Sequence, residues 1–311
     1  MVKELKLGNN KIKNNIFLAP IAGYTNYAFR SLALKLGYGL CFTELVSAKG
    51  LVYKNNGTKE LLLAGDGIKN TAVQLFGSDP YFLRKACESE ELKDFDIVDI
   101  NMGCPVPKVY KNGEGSALLT DINRAEQIIR ECVKSGKTIT IKIRKGIKEG
   151  DDVATDFALM AENAGAKLIT IHARVKDAYY SGEPDYNSIY KAKKAVNIPV
   201  IANGGIFTKE DAFKMFTNTG ADGIMLARGG IDNLFLVCEL LNINPPLTKK
   251  EFIFSQLQIM EEVFGKTRAN AEFRKFIPYY FKGERNIKEV KKQLTTAENI
   301  NVLKELLNKV L

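Results

Sequence analysis

Eight short apolar runs, each bounded by turn residues and separated from the next by a helical pattern, recur through the first 230 residues and leave the chain few folds to choose from. They predict strands over Ile16–Ala19, Leu40–Thr43, Ala72–Phe76, Ile97–Ile100, Thr138–Ile143, Leu168–Ile171, Pro199–Ala202 and Gly223–Leu226. The intervening helices carry start and stop chemistry: Phe29–Leu36 closes at Gly37, Ile122–Val133 opens after Asp121, and Asp152–Asn163 closes at Gly165. Thr208-Lys-Glu-Asp211 has the pattern of a capping box. Strict alternation of strand and helix argues for a parallel α/β sheet closed into a (β/α)8 TIM barrel rather than an open doubly wound sheet.

The first unusual polar residues at or past each strand's carboxyl end are Pro20, Glu44, Gln74, Asn101 with Cys104, Lys142 with Arg144, His172 with Arg174, Asn203, and Arg228. In a barrel these converge on one rim, the face where barrel enzymes build their sites. After Asn242-Ile-Asn-Pro-Pro-Leu247 the pattern turns to helices only, expected over Phe252–Phe264, Ala269–Tyr280 and Ile287–Lys309. The expected division is a barrel over 1–244 and a small all-helical C-terminal domain over 245–311.

Composition narrows the function. A chain of 311 residues with 45% hydrophobic content can bury a full core. No apolar run approaches the ~18 residues of a membrane span, and Met1-Val-Lys-Glu-Leu-Lys-Leu-Gly8 lacks a signal-peptide core, so a cytoplasmic protein with no membrane association is expected. Five scattered cysteines without a Cys-x-x-Cys, and a single histidine, suggest neither disulfides nor a metal site. No obligate protein partner is evident. The net charge is +9, and residues 245–311 hold 13 basic against 8 acidic side chains, more than half of that excess. A polyanionic partner or a solvated helical surface would each account for it.

The most specific segment is Asp99-Ile-Asn-Met-Gly-Cys-Pro-Val-Pro-Lys108, which follows a buried strand. Gly103 and Pro105 break the strand and project Cys104 from a rigid turn at the mouth, with Asn101 and Lys108 beside it. Lys142 and Arg144 share one face of their strand. A lysine aimed into a barrel mouth needs either an anionic cofactor or a barrel carboxylate to neutralise it. Asn203-Gly-Gly205 and Ala227-Arg-Gly-Gly230 follow the last two strands, where barrels often bind phosphate through close backbone approach. His172, with no second histidine to work beside, is assigned to binding.

Together Leu18-Ala-Pro-Ile-Ala-Gly-Tyr-Thr25, Val73-Gln-Leu-Phe-Gly77, the Cys104 segment, Ile141-Lys-Ile-Arg144, His172-Ala-Arg174, Ala202-Asn-Gly-Gly205 and Ala227-Arg228 resemble the tRNA-dihydrouridine synthases, most closely the bacterial B-type branch. The resemblance implies FMN-dependent reduction of the C5=C6 bond of a uridine in the tRNA D-loop, with NADPH or NADH as reductant. It implies that Pro20, Ile21 and Ala22 line the flavin, that Gln74, Lys142 and His172 bind its ring and side chain, and that Asn203, Gly204, Gly205, Ala227 and Arg228 hold its phosphate. Cys104 would be the proton donor to C5, and Asn101, Arg144, Arg174, Arg274 and Lys275 would contact substrate.

Two positions depart from the pattern. Phe276 stands where a histidine is usual, and Gly205 where aspartate is common. Phe276, Tyr279, Tyr280 and Phe281, interleaved with Arg274, Lys275 and Lys282, would either stack on RNA or form the core of the helical bundle. Other pyrimidine-reducing or -oxidising barrel flavoenzymes of the dihydroorotate or dihydropyrimidine dehydrogenase kind, and a non-catalytic RNA-binding barrel, are the alternative functions.

Overall fold

The computed structural model describes residues 1–284 and 287–311. Leu5–Leu7 (β1) and Asn10–Ile12 (β2) form an antiparallel hairpin turned by Gly8 at φ +59°, which the sequence reading lacks because three-residue strands carry no periodicity. The barrel follows: β3 (Ile16–Leu18), β4 (Leu40–Phe42), the two-residue β5 (Val46–Ser47), β6 (Thr71–Phe76), β7 (Ile97–Met102), β8 (Thr138–Gly146), β9 (Ile169–Val175), β10 (Val200–Asn203) and β11 (Gly223–Leu226). Every pairing in this sheet is parallel, and β4 pairs with both β3 and β6 to close the ring of eight, while β5 continues the β4 edge along the carboxyl half of β6.

Side-chain alternation splits the core in two. Phe17, Leu40, Phe42, Ala72, Ile97, Leu168, Ile201 and Met225 fill the barrel interior, and Leu5, Leu7 and Ile12 of the hairpin join them as a plug. The flanking residues, such as Ile16 and Leu18 on β3, face outward into the larger core under the helices.

The expected caps are in place. Helix Tyr27–Leu36 starts on Asn26 and ends at Gly37 (φ +112°), Ile122–Val133 starts on Asp121, and Lys209–Thr219 opens on a Thr208–Asp211 capping box.

Beyond Thr248 the chain is helical, with two corrections to the expected elements. Ala269–Tyr280 is not one helix: Lys266–Phe273 passes through a 3-10 turn at Arg274–Phe276 into Ile277–Tyr280, because Pro278 offers no N–H and its ring clashes with a continuous preceding turn. Ile287–Lys309 is two helices, Lys288–Thr295 and Ile300–Val310, since the Asn299 side chain accepts from Asn301 N and Val302 N and starts a new helix.

These helices share the barrel's outer core. Phe276 stacks on Phe29 of the first barrel helix (centroids 5.9 Å, 12°), Phe252 meets Phe29 edge-on at 5.8 Å, and Phe276 stacks on Tyr280 at 5.5 Å. Phe276, Tyr280 and Phe281 are buried, and the Tyr280 hydroxyl donates to Gln256 Oε1. Of the two roles open to these rings, stacking on RNA or forming the core of the bundle, Phe276, Tyr280 and Phe281 take the second. Each side chain contributes about 1.5–3 kcal/mol by leaving water, with about 0.5–1.5 kcal/mol more from each aromatic pair.

Candidate active site

The carboxyl ends of the barrel strands surround a cavity of about 770 Å³. Pro20, Ile21 and Ala22 form an apolar wall after β3, with Leu45 and Phe76 beside them. Cys104, Pro105, Val106 and Val109 close the side after β7; Lys142, Arg144, His172, Arg174, Asn203, Gly204, Gly205, Ala227 and Arg228 make the polar half. The structure thus brings together nearly all the site residues assigned from the sequence.

The thiol is held by its own loop. Asn101 Oδ1 accepts from Cys104 N at 2.9 Å and from Gly103 N at 3.2 Å, and Cys104 O accepts from Ser116 Oγ at 2.8 Å and Ser116 N at 3.1 Å. Behind the loop runs a buried chain: Thr140 Oγ1 donates to Asp99 Oδ1 (2.6 Å), Gln74 Nε2 to Asp99 Oδ2 (2.7 Å), and Asn101 Nδ2 to Gln74 Oε1 (2.8 Å). Asp99 therefore orients both amides and, through Asn101, the cysteine turn. Burial raises the Asp99 carboxyl to about 6, against the opposing pull of its two donors and Lys142. Burial likewise pushes the Cys104 thiol above its ordinary range, although the Val106 N–H and the charges of Arg144 and Lys142 favour the thiolate. The thiol is protonated at neutral pH.

Gln74 is not at the cavity surface: it is fully buried and its amide is spent between Asp99 and Asn101. Glu44 likewise turns away, accepting from Gly23 N.

Four cations meet in the polar half. Lys142 Nζ donates to Asn203 Oδ1 at 3.0 Å, whose Nδ2 donates to Met225 O; the lysine's direct partner is a neutral amide, with the Asp99 carboxyl acting on it only at longer range. Burial, reinforced by Arg144, lowers Lys142 to about 8. Arg144 donates to Gly103 O, Val175 O and Tyr179 O, and Arg174 to Ser181 O and Gly182 O. Arg228 lies over the Tyr180 ring at 4.3 Å. None of the four forms an ion pair among the described residues. Burial and these neighbouring cations hold His172 well below its ordinary pKa, hence neutral. Gly204, at φ +112°, leaves no room for a Cβ, which would come 2.7 Å from His172 Cδ2, so the chain keeps its backbone close to the ring only as glycine.

Arg274 and Lys275 lie outside the cavity. Arg274 donates to Ala297 O at 3.3 Å, and Lys275 pairs with Glu272 beneath the Tyr24 ring. Among the described residues of the C-terminal helices only Tyr279 reaches the cavity wall, packed edge-on against Tyr24 at 5.3 Å. Tyr24, Tyr179 and Tyr180 are wall residues that the sequence did not single out; their one signal was aromatic residues in loops following strands. Among the described residues no cluster of histidine, cysteine and carboxylates is able to hold a metal ion, and no helix is long and apolar enough to cross a membrane.

Residues 17–311 match the family model described as dihydrouridine synthase. The tRNA-dihydrouridine synthase B of Pasteurella multocida is 35% identical over 90% of this chain and 87% of its own length. That of Vibrio parahaemolyticus is 31% identical over 94% of both, and a probable tRNA-dihydrouridine synthase of Rickettsia conorii is 31% identical over 97% and 94%. Among solved structures, histamine dehydrogenase from Rhizobium sp. 4-9 superposes with a TM-score of 0.60 at 13% identity. That match covers 83% of this chain, which spans half the length of the dehydrogenase, and shows the shared barrel alone.

Proposed function

The chain belongs to the dihydrouridine synthase family, and on that footing we propose that it is a cytoplasmic tRNA-dihydrouridine synthase, reducing the C5=C6 bond of a D-loop uridine with FMN as resident cofactor and NADPH or NADH as reductant. The observation that carries this reading is one cavity holding a protonated thiol together with four cations that form no ion pair among the described residues. Uncompensated buried charge is costly, so the polar half is built to receive an anion. A flavin mononucleotide fits those residues: an apolar wall for a flat ring, a neutral histidine, a half-buried lysine, and a glycine pair with Arg228 for a phosphate.

When bound and reduced, the flavin supplies the hydride for C6 of the pyrimidine. The protein's own work is the rest. Pro20, Ile21 and Ala22 exclude water from one face. Lys142, mostly protonated below pH 8, stabilises negative charge beside it, while Asn203 holds it in place. Asn203, Gly204, Gly205, Ala227 and Arg228 hold the phosphate, and neutral His172 offers a hydrogen bond to the cofactor. Gln74 acts from behind, fixing Asn101.

Cys104 holds the proton for C5. Negative charge builds on C5 and O4 as C6 is reduced, and a thiol kept protonated by burial is a suitable acid. With its oxygen occupied by the cysteine turn and one amide hydrogen on Gln74, Asn101 retains one N–H for the pyrimidine edge. Arg144 and Arg174 contact the substrate nucleotide from the polar half of the cavity. The target base must leave its stack to reach this depth, which costs a few kcal/mol and has to be offset by contacts to the RNA. On this reading residues 1–244 carry the chemistry, and 245–311 contribute to holding tRNA.

A visible spectrum and a coupled assay test it. The purified protein is expected to be yellow with a flavin band and to oxidise NADPH faster when tRNA is added. Oxidation driven by free uracil or dihydroorotate instead of tRNA would favour the free-pyrimidine alternative, and a colourless, inactive protein the non-catalytic one.

A further inference from the structure

The mouth opens beside a set of aromatic side chains that no internal packing explains. Tyr53 follows helix Ala48–Val52 and is 71% exposed; Tyr81 lies in the first turn of helix Pro80–Cys87 and is 60% exposed. Between them sits Phe82, at 5.6 Å from the Tyr53 ring and 5.4 Å from the Tyr81 ring, with Lys49 Nζ 5.3 Å over its face. Exposed singly, such rings would be ordinary. Grouped, with a cation above, they form a ridge of π-faces offered to solvent.

Lysines without ion pairs lie along the same segments. Lys49, Lys54 and Lys59 are exposed and form no ion pair among the described residues. Of the nearby acids, Asp79 accepts from Tyr81 N and Glu60 pairs with Arg268, while the Glu114 carboxylate feels the charge of Lys49 without forming an ion pair with it. The ridge is also continuous with the site. Leu45 and Phe76 line the cavity, and the chain runs from each directly into one of the two helices bearing the tyrosines. Ser78 Oγ, at the start of the second, donates to Asn112 O on the segment following Cys104.

We propose that Tyr53, Phe82 and Tyr81, with Lys49, are a stacking platform for unpaired nucleotides neighbouring the base that enters the cavity. The proposal rests on the reading of the protein as a uridine reductase acting on RNA. Extruding one base unstacks its neighbours, and aromatic faces beside a cationic edge recover that stacking on any base, so the platform secures a loop without reading its sequence. A protein partner would be expected to cover the ridge with apolar surface, and the free lysines around it favour phosphate instead.

The test titrates labelled tRNA with the full-length protein by fluorescence anisotropy, using Tyr53→Ala, Tyr81→Ala, their combination, and the two Tyr→Phe variants, with a fully paired RNA duplex as the control ligand. Each alanine variant should lose about tenfold in tRNA affinity, with a greater loss in combination, while the phenylalanine variants stay within about twofold of the parent. Duplex affinity should not distinguish the variants from the parent. Unchanged tRNA affinity in the double alanine variant, or an equal loss on the duplex, overturns the platform alone. A parent protein that binds tRNA no better than the duplex overturns both the platform and the functional reading beneath it.

Discussion

The barrel mouth and the C-terminal helices are both rich in cations and aromatic rings, yet they use them in opposite ways. In the mouth, Lys142, Arg144, Arg174 and Arg228 are gathered without a carboxylate partner, and Tyr24, Tyr179 and Tyr180 line open space. In the helices, Lys275 pairs with Glu272, Lys282 with Asp232 and Lys304 with Glu261, while Phe276, Tyr280 and Phe281 are core. Counting charge along a chain does not say whether it is already spent. A surface lysine in an ion pair contributes about 0–1 kcal/mol and signals little, whereas a buried cation facing only amides and carbonyls must be waiting for an anion.

The contrast breaks first at Cys104. Its replacement by alanine should lower dihydrouridine formation by about 10² to 10⁴ while flavin content stays as in the parent, because a general acid has gone and the binding surface has not. Quantifying dihydrouridine by mass spectrometry beside the flavin absorbance checks both.

The helical side should answer with stability instead of rate. Phe276→Ala opens a hole against Phe29, Phe273 and Tyr280, at a cost of about 3–5 kcal/mol in urea unfolding. A loss within the ±0.5 kcal/mol typical of a surface substitution would place this ring outside the core.

Lys142 sharpens the comparison through pH. Its ligand-free value is about 8, and an anion bound beside it raises that value. Affinity for FMN is therefore expected to be level below pH 8 and to fall above it, by up to about tenfold per pH unit until the bound value is passed. Lys142→Met should bind more weakly at pH 7 and lose that decline, as followed by quenching of flavin fluorescence.

The smallest effect is expected from neutralising Arg274, Lys275 and Lys282 together. Lys275 and Lys282 are already paired with carboxylates and Arg274 alone of the three donates to a carbonyl, so tRNA affinity should drop by no more than about threefold, with a correspondingly small change in salt slope. A loss of a hundredfold would return the principal RNA contact to the helices.

What was readable beforehand follows the range of the forces involved. Helix ends at Gly37, Asp121 and Thr208 depend on neighbours within a turn, and the alternation of strands and helices is a local pattern, so both could be read from sequence. So could the cysteine turn, since Gly103 and Pro105 act on their own backbone. The plug made by Leu5, Leu7 and Ile12 could not, because its meaning lies in contact with Phe17, Leu168 and Met225 across the barrel.

Gln74 illustrates a second limit. Its place on β6 could be read, but not that its amide is held by Asp99, whose role as the anchor of the buried chain depends on a partner 25 residues away. The aromatic segment around Phe276 reached a third. Its composition suits stacking on RNA and packing on Phe29 equally, and only the tertiary fold chooses.

The central claim is that one cavity reduces uridine in RNA with Cys104 as its acid. The most direct measurement mixes NADPH-reduced protein anaerobically with tRNA in a single turnover, following flavin reoxidation and dihydrouridine together. The parent should form dihydrouridine in step with reoxidation, and Cys104→Ala should remain reduced for at least about a hundred times longer. Equal single-turnover rates in the two proteins, or reoxidation without dihydrouridine, would contradict it.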